Sequence, residues 1–399
     1  MALSALSLDR QEGRQCLDAL QHYDQALPSL KSTMKGKEDL SSDGPFLTHF
    51  LLLIYEVISG NLPLQDCETD WVQILAADQG ASNLWSGHLE HLLRITLLRH
   101  DRFGHEPYPH LIWWLCVMDV YASLSGTGHG EYIHTLLANN LVPSPKETLH
   151  LETLSRKNQI SQEEFDLLYS ISAFQRKIVL LAARVGRLAG KFRNEESQER
   201  SVDGDQGVYG HDQRMLMGGQ VSQLQEELRR SWATEKPHWL LDPDWLSFER
   251  LPRQAQVLLN HTYTLYRVCL IYSHTSMWSS QRLDTDGDAK GEIDRCVSEL
   301  LRQAQFVVDR QRYEFKWIIC ALFMAGFAAS STEKKMLALD LIRSLENEDV
   351  GRNAMIARYL LQEVHERQNQ NFVAFGHSFH VDWMDVMAGT DLRIITFTI

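Results

Sequence analysis

The richest run of chemically capable side chains lies between Leu259 and Trp278, where His261, Tyr263, Tyr266, Arg267, Tyr272 and His274 follow one another closely. At about 3.6 residues per turn, Thr264, Arg267 and Ile271 share one side of a helix, Tyr263, Tyr266, Leu270 and His274 a second, and His261, Leu265 and Tyr272 a third. Polar groups therefore recur all around this segment. An imidazole can relay a proton and a guanidinium can donate to a carbonyl oxygen, so the segment is able to do chemistry. If the helix is buried, its polar groups must either tie neighbouring helices together or line a ligand pocket.

Other constellations are thinner. His88/His91 and His377/His380 stand three apart, a spacing that brings two imidazoles to one helical face, but neither pair has a cysteine or carboxylate cluster beside it. No metal and no cofactor is expected on this basis. Asp284, Asp286 and Asp288 imitate the start of a calcium loop, yet Ala289 and Arg295 stand where that loop needs Gly and Glu. Gly126-Thr-Gly-His-Gly130 follows a helical pattern and reads as a helix-ending turn rather than a dinucleotide loop. Asp382 and Asp385 are too few for the aspartate-rich magnesium patch of helical terpene cyclases. The sequence contains no Gly-x-Ser-x-Gly elbow, His-Glu-x-x-His helix or phosphate-binding Walker loop.

Helical periodicity dominates the elements that must position these residues. Helices are expected at 17–27, 46–58, 85–98, from Pro109 past Tyr121, from a Ser161-x-x-Glu164 capping box toward Leu188, from Val221, and over 254–278. Others follow at 292–309, 317–327, 334–345 and 353–366, with a tail at 393–399 that reads as a strand or a tucked coil. The expected fold is all-α, a large array of antiparallel helix hairpins. The polar, glycine-bearing stretch 193–213 reads as a linker or mobile loop between an N-terminal half (1–192) and a C-terminal half (214–399) of one compact unit.

The apolar share is 44%, ample for a core. A formal charge of −13 argues against direct nucleic-acid binding by this chain, since phosphate recognition needs a basic face. The six cysteines are widely spaced and several sit in apolar runs, which points to buried thiols in a reducing, intracellular compartment. Neither a signal peptide nor an apolar run long enough for a membrane span is visible, and Trp317–Ala329 reads as a buried core helix.

A family likeness runs through these segments. Leu270-Ile-Tyr-Ser-His-Thr-Ser-Met-Trp-Ser-Ser-Gln-Arg282 resembles a segment of the fungal-specific transcription factor domain, the helical regulatory region that follows the zinc binuclear cluster in many fungal regulators. The resemblance extends to Tyr55-Glu-Val, Gly60-Asn61, His88-Leu, Trp113-Trp, Asp119, Ser125-Gly-Thr-Gly, Leu322-Phe-Met-Ala-Gly-Phe, Glu333-Lys, Ala338-Leu-Asp-Leu-Ile, Gly351-Arg-Asn and Val381-Asp-Trp. The six closely spaced cysteines of the zinc cluster do not occur in the sequence, and it starts directly in the helical region.

The resemblance implies two functions. In one, favoured here by the acidic charge and the aromatic content, the pocket serves a cofactor-free cyclase of natural-product biosynthesis, as in hetero-Diels–Alder joining of a quinone methide to a terpene. Orientation of two apolar reactants would then supply much of the rate. Arg267, Lys316, His261 and His274 would be the catalytic donors and Trp113, Tyr121, Tyr272 and Trp278 the substrate walls, with His377 and His380 in reserve for acid–base help. In the other, the chain is a nuclear regulator or regulatory fragment that senses a small molecule or acts through protein partners, whereas the cyclase would be cytoplasmic. A hydrophobic small molecule is expected in both, no membrane in either, and a homodimer is compatible with each.

Overall fold

The computed structural model describes residues 40–59, 84–103, 106–154, 161–201, 209–235, 249–278, 281, 287–311, 317–347, 352–375 and 381–390, together with 22, 25, 26 and 28. Among the described residues the secondary structure is helical throughout, and no strand occurs. The elements are α1 (Asp43–Ser59), α2 (Leu84–Phe103), α3 (Pro109–Leu124), α4 (Glu131–Ala138), α5 (Pro145–Leu154), α6 (Gln162–Ser201) and α7 (Tyr209–Glu235). They continue with α8 (Arg253–Thr275), α9 (Gly287–Asp309), α10 (Ile318–Ala328), α11 (Thr332–Asn347), α12 (Arg352–Phe375) and α13 (Trp383–Ala388).

The chain divides into two compact units, residues 1–109 and 110–399. Of the polar stretch 193–213, residues 193–201 continue α6 and 209–213 open α7. A helix needs an apolar stripe only where it packs, and Lys191, just before the stretch, pairs with Glu195 at 3.7 Å.

In the first unit α1 and α2 pack together, pinned by one arginine. The Arg99 side chain is fully buried and donates to Asp43 at 2.8 Å, to both oxygens of Glu106 at 3.1 Å and to the Ser41 carbonyl at 3.3 Å. Phe46 and Tyr108 stack at 6.1 Å beside its guanidinium. A planar fork with five donors can serve three acceptors at once, which an ammonium on a flexible stem does less well.

In the second unit α8 is the hub. It packs against α6, α7, α9 and α10, and its residues from Leu259 to Ser273 are buried without interruption. The hairpin α9–α10 packs on α8 and the pair α11–α12 packs on that hairpin, with α10 apolar on every side and wholly buried. Gly326 permits that closure: a β-carbon there would lie 2.6 Å from Leu361 Cδ2 and 2.9 Å from the Ala338 β-carbon. The last carbonyls of α10 are satisfied from α12, by His365 Nε2 to the Gly326 oxygen at 2.9 Å and Gln368 Nε2 to the Phe327 oxygen at 3.1 Å.

Local signals explain several helix starts. The Glu164 backbone N–H bonds the Ser161 hydroxyl at 3.2 Å, as its capping pattern foretells. A reciprocal box that the sequence reading passed over opens α5, with the Ser144 N–H on Glu147 at 2.6 Å and the Glu147 N–H on the Ser144 hydroxyl at 3.3 Å. Gly126, at φ 74°, ends α3 in a turn, as expected for Gly126–Gly130. The tail 393–399 and the first expected helix, apart from a few of its residues, lie outside the described residues.

Candidate functional site

The polar groups of α8 go to four different neighbours rather than to one pocket. The first is a ring cluster around His261. Its imidazole lies 4.4 Å from the Trp317 ring and 5.8 Å from the Tyr121 ring, and those two rings stack at 5.6 Å. Gln175 on α6 offers its amide nitrogen to His261 Nδ1 at 2.7 Å. In that arrangement Nε2 carries the proton, and it is buried without a partner. Burial lowers the His261 pKa to about 3, so the ring is neutral at physiological pH.

The second is an aromatic box. The Arg267 guanidinium lies 3.5 Å from the Tyr263 ring centroid and also faces Trp232 and Tyr266, whose rings stack at 4.4 Å. Arg267 pairs with Glu299 on α9, and the Tyr263 hydroxyl donates to the same carboxylate at 2.8 Å. The charge that could have polarised a substrate carbonyl is thereby matched inside the fold.

His274 belongs to a third group. Its Nε2 lies 2.8 Å from a Glu292 oxygen, and Arg229 on α7 grips that carboxylate with two bonds of 2.8 and 2.6 Å. Gln225 reaches His274 Nδ1 at 3.2 Å and the Ser273 hydroxyl at 3.1 Å. Burial alone would raise the Glu292 carboxyl; the hydrogen bonds and charges of Arg229 and His274 outweigh it and hold the pKa at about 2. Three helices are stapled by one ion-pair network.

At the carboxyl end of α8, Arg193 bonds Asp382 at 2.8 Å and the Ser276 carbonyl at 2.9 Å, while the Trp383 indole N–H donates to the Ser276 hydroxyl at 3.1 Å. Tyr272 is buried in this region, and Trp278 meets Phe192 edge-on at 6.1 Å. Asp382 also caps α13 through the Met384 N–H at 2.9 Å, a structural use of this carboxylate.

Of the eight residues that sequence reasoning grouped, only His261 and Tyr121 meet in a ring contact. Trp113 stands apart from them, its ring 5.8 Å from the Arg176 guanidinium. Lys316, His377 and His380 lie outside the described residues, as do Asp284 and Asp286. Gln175, Asn260, Gln303 and Trp317 were not singled out, although a polar amide inside an apolar helical run, such as Gln175 or Asn260, is a readable signal. Asn260 and Gln303 are buried and carry side-chain atoms without hydrogen-bond partners.

Two further clusters of buried titratable side chains contain no residue of α8. In the first unit, His49 and His88 meet through their Nδ1 atoms at 3.2 Å, and His49 stacks on His91 at 5.0 Å. Burial lowers the pKa of both His49 and His88 to about 4. Among the described residues no group of three His, Cys, Asp or Glu side chains is placed to hold a metal ion. In the second unit, Asp119 is 2% exposed and accepts the Ile133 N–H at 3.0 Å at the start of α4. Burial raises its pKa to about 7 against the opposing pull of those backbone N–H groups.

No helix among the described residues is long and apolar enough to cross a membrane. A family model described as the fungal specific transcription factor domain matches residues 1–397. No curated protein matches the chain, and no solved structure does.

Proposed function

Because the chain belongs to the family of the fungal specific transcription factor domain, which spans residues 1–397, we propose that it is a regulatory domain of gene control, acting in the nucleus through protein partners and a small-molecule effector. One observation carries this reading: two groups of α8 that could have served catalysis, Arg267 and His274, are each held by a carboxylate inside the fold. Arg267 is paired with Glu299, and His274 is bridged through Glu292 to Arg229. Such a spine couples the position of one helix to its neighbours and sets a counter-charge against Arg267 and His274. The acidic balance of the chain favours protein or small-molecule partners over DNA.

The test tethers the full chain to a heterologous DNA-binding domain and measures a reporter in a fungal host. Reporter output changed at least severalfold by the tethered chain supports the reading; output identical to that of the DNA-binding domain alone overturns it.

A second reading keeps the cofactor-free cyclase, and the His261 cluster favours it. A neutral imidazole with a buried, unpartnered N–H beside Tyr121 and Trp317 is suited to donate to a carbonyl oxygen while aromatic walls hold an apolar reactant. A hetero-Diels–Alder cycloaddition transfers no proton to or from the protein and needs no redox partner. Incubating the purified chain with a quinone methide precursor and a terpene alkene tests this. Faster, enantioenriched product supports the reading, whereas racemic product at the uncatalysed rate sinks it for those reactants.

A further inference from the structure

The seam between α8 and α9 holds amide groups with nothing to bond. Asn260 is 1% exposed, and neither its Oδ1 nor its Nδ2 has a partner. Gln303 is fully buried, donates through Nε2 to the Asn260 backbone carbonyl at 3.3 Å, and leaves its Oε1 without a partner. That bond makes the two residues neighbours, so an acceptor and a complete carboxamide edge occupy one place in the core. Each buried polar atom left unmatched costs about 1–3 kcal/mol, so the position is unfavourable to the empty fold.

The chemistry of the missing partner follows from what surrounds the seam. One turn further along the two helices, the ionic groups satisfy each other, Arg267 and the Tyr263 hydroxyl both engaging Glu299. Their charges cancel there, which suits a neutral ligand better than a charged one, and Arg267 Nη1 remains a buried donor without a partner. The next residue on α8, His261, adds a fourth unpartnered polar atom, Nε2, against the Trp317 and Tyr121 rings. A carboxamide presents a donor and an acceptor side by side, and it pairs best with a ligand edge that presents the converse pair, as Asn does with the adenine edge.

We propose that Asn260 and Gln303 form the recognition point for the effector, and that the effector is a neutral, flat molecule with a lactam or imide edge, its N–H set beside its carbonyl. This rests on the effector-sensing part of the regulatory reading. Asn260 takes the lactam N–H on Oδ1 and gives an amide hydrogen to the lactam oxygen, while Gln303 Oε1 accepts a second donor. Bound water is the competing occupant, and it would satisfy the same atoms without selecting among ligands.

The probe is 2-pyridone, with N-methyl-2-pyridone, which lacks the N–H, as its control; binding to the full chain is followed by saturation-transfer NMR. The expected result is saturable binding of 2-pyridone, weakened at least tenfold both for the N-methyl control and in the Asn260→Leu variant. That variant removes two unmatched polar atoms and is expected to melt no lower than the wild type; if it fails to fold, Gln303→Met takes its place. Absence of 2-pyridone binding to the wild type, or equal binding of the two probes or by the variants, overturns the proposal and leaves water as the occupant. A chain that drives the tethered reporter without binding 2-pyridone refutes this inference alone. Binding without any reporter activity refutes the regulatory reading instead.

Discussion

Glu292 on α9 accepts from His274 on α8 at 2.8 Å while held by Arg229 from α7, so one carboxylate fixes the spacing of three helices. Its pKa of about 2 lies below the usual 4.5, which makes the folded state the weaker proton binder. The stability it contributes is complete above pH 4.5 or so and is lost as pH falls through about 2. Glu292→Gln is expected to cost roughly 2–3 kcal/mol at pH 7 and to flatten the acid limb of the stability profile. Urea denaturation at pH 7 and pH 3 measures both; an unchanged acid limb refutes the account.

Asp119 has the opposite sign. Its folded pKa of about 7 exceeds the ordinary 3.8, so the folded state binds the proton more tightly. Its contribution is fullest below pH 4 or so and declines as pH rises through about 7. Asp119→Asn keeps an oxygen for the Ile133 N–H and removes the ionisation, so the variant should lose less stability than the wild type between pH 4 and pH 8. Parallel profiles for the two proteins would contradict this.

Arg267→Lys keeps the charge but loses the flat fork that both pairs with Glu299 and lies on Tyr263. We expect a loss of about 1–3 kcal/mol, with a larger one, about 3–5 kcal/mol, for Arg267→Met, which leaves Glu299 uncompensated. A double-mutant cycle with Glu299→Gln should show coupling above 1 kcal/mol or so. Additive losses would mean that the pair does not act as a unit.

Two helical glycines should respond in opposite directions. Gly326→Ala drives a methyl to 2.6 Å from Leu361 Cδ2 and 2.9 Å from the Ala338 β-carbon, and should cost roughly 1–3 kcal/mol. Gly190→Ala meets nothing within 4 Å and should stabilise α6 by about 0.5–1 kcal/mol. Thermal melts of the two variants read the contrast directly; a stabilised Gly326→Ala protein would show that α10 has room to spare.

Much of the fold is legible in the sequence because helices are local. The apolar period of Trp85–Leu98, the Ser161 cap and the uniformly apolar Leu322–Phe327 each specify a helix from neighbours a few positions apart. The short helices α4 and α5 escaped because brevity weakens a period, and α5 shows its start only in the Ser144/Glu147 box. The end of α6 reads as a linker in the sequence because it carries no apolar period, and a helix needs one only where it packs.

The site was legible only as an inventory. Sequence alone determined that α8 carries His261, Arg267, Tyr272 and His274 in an apolar frame and must either bond or present them. Which of the two happens depends on side chains far along the chain: Glu299 and Glu292 on α9, Gln175 on α6 and Arg229 on α7. A helix period fixes the direction in which a side chain leaves its own axis and is silent about what stands opposite. Only tertiary packing brought carboxylates to Arg267 and His274 and left Asn260, Gln303 and His261 Nε2 unmatched, because pairing is decided by the few ångströms between helices.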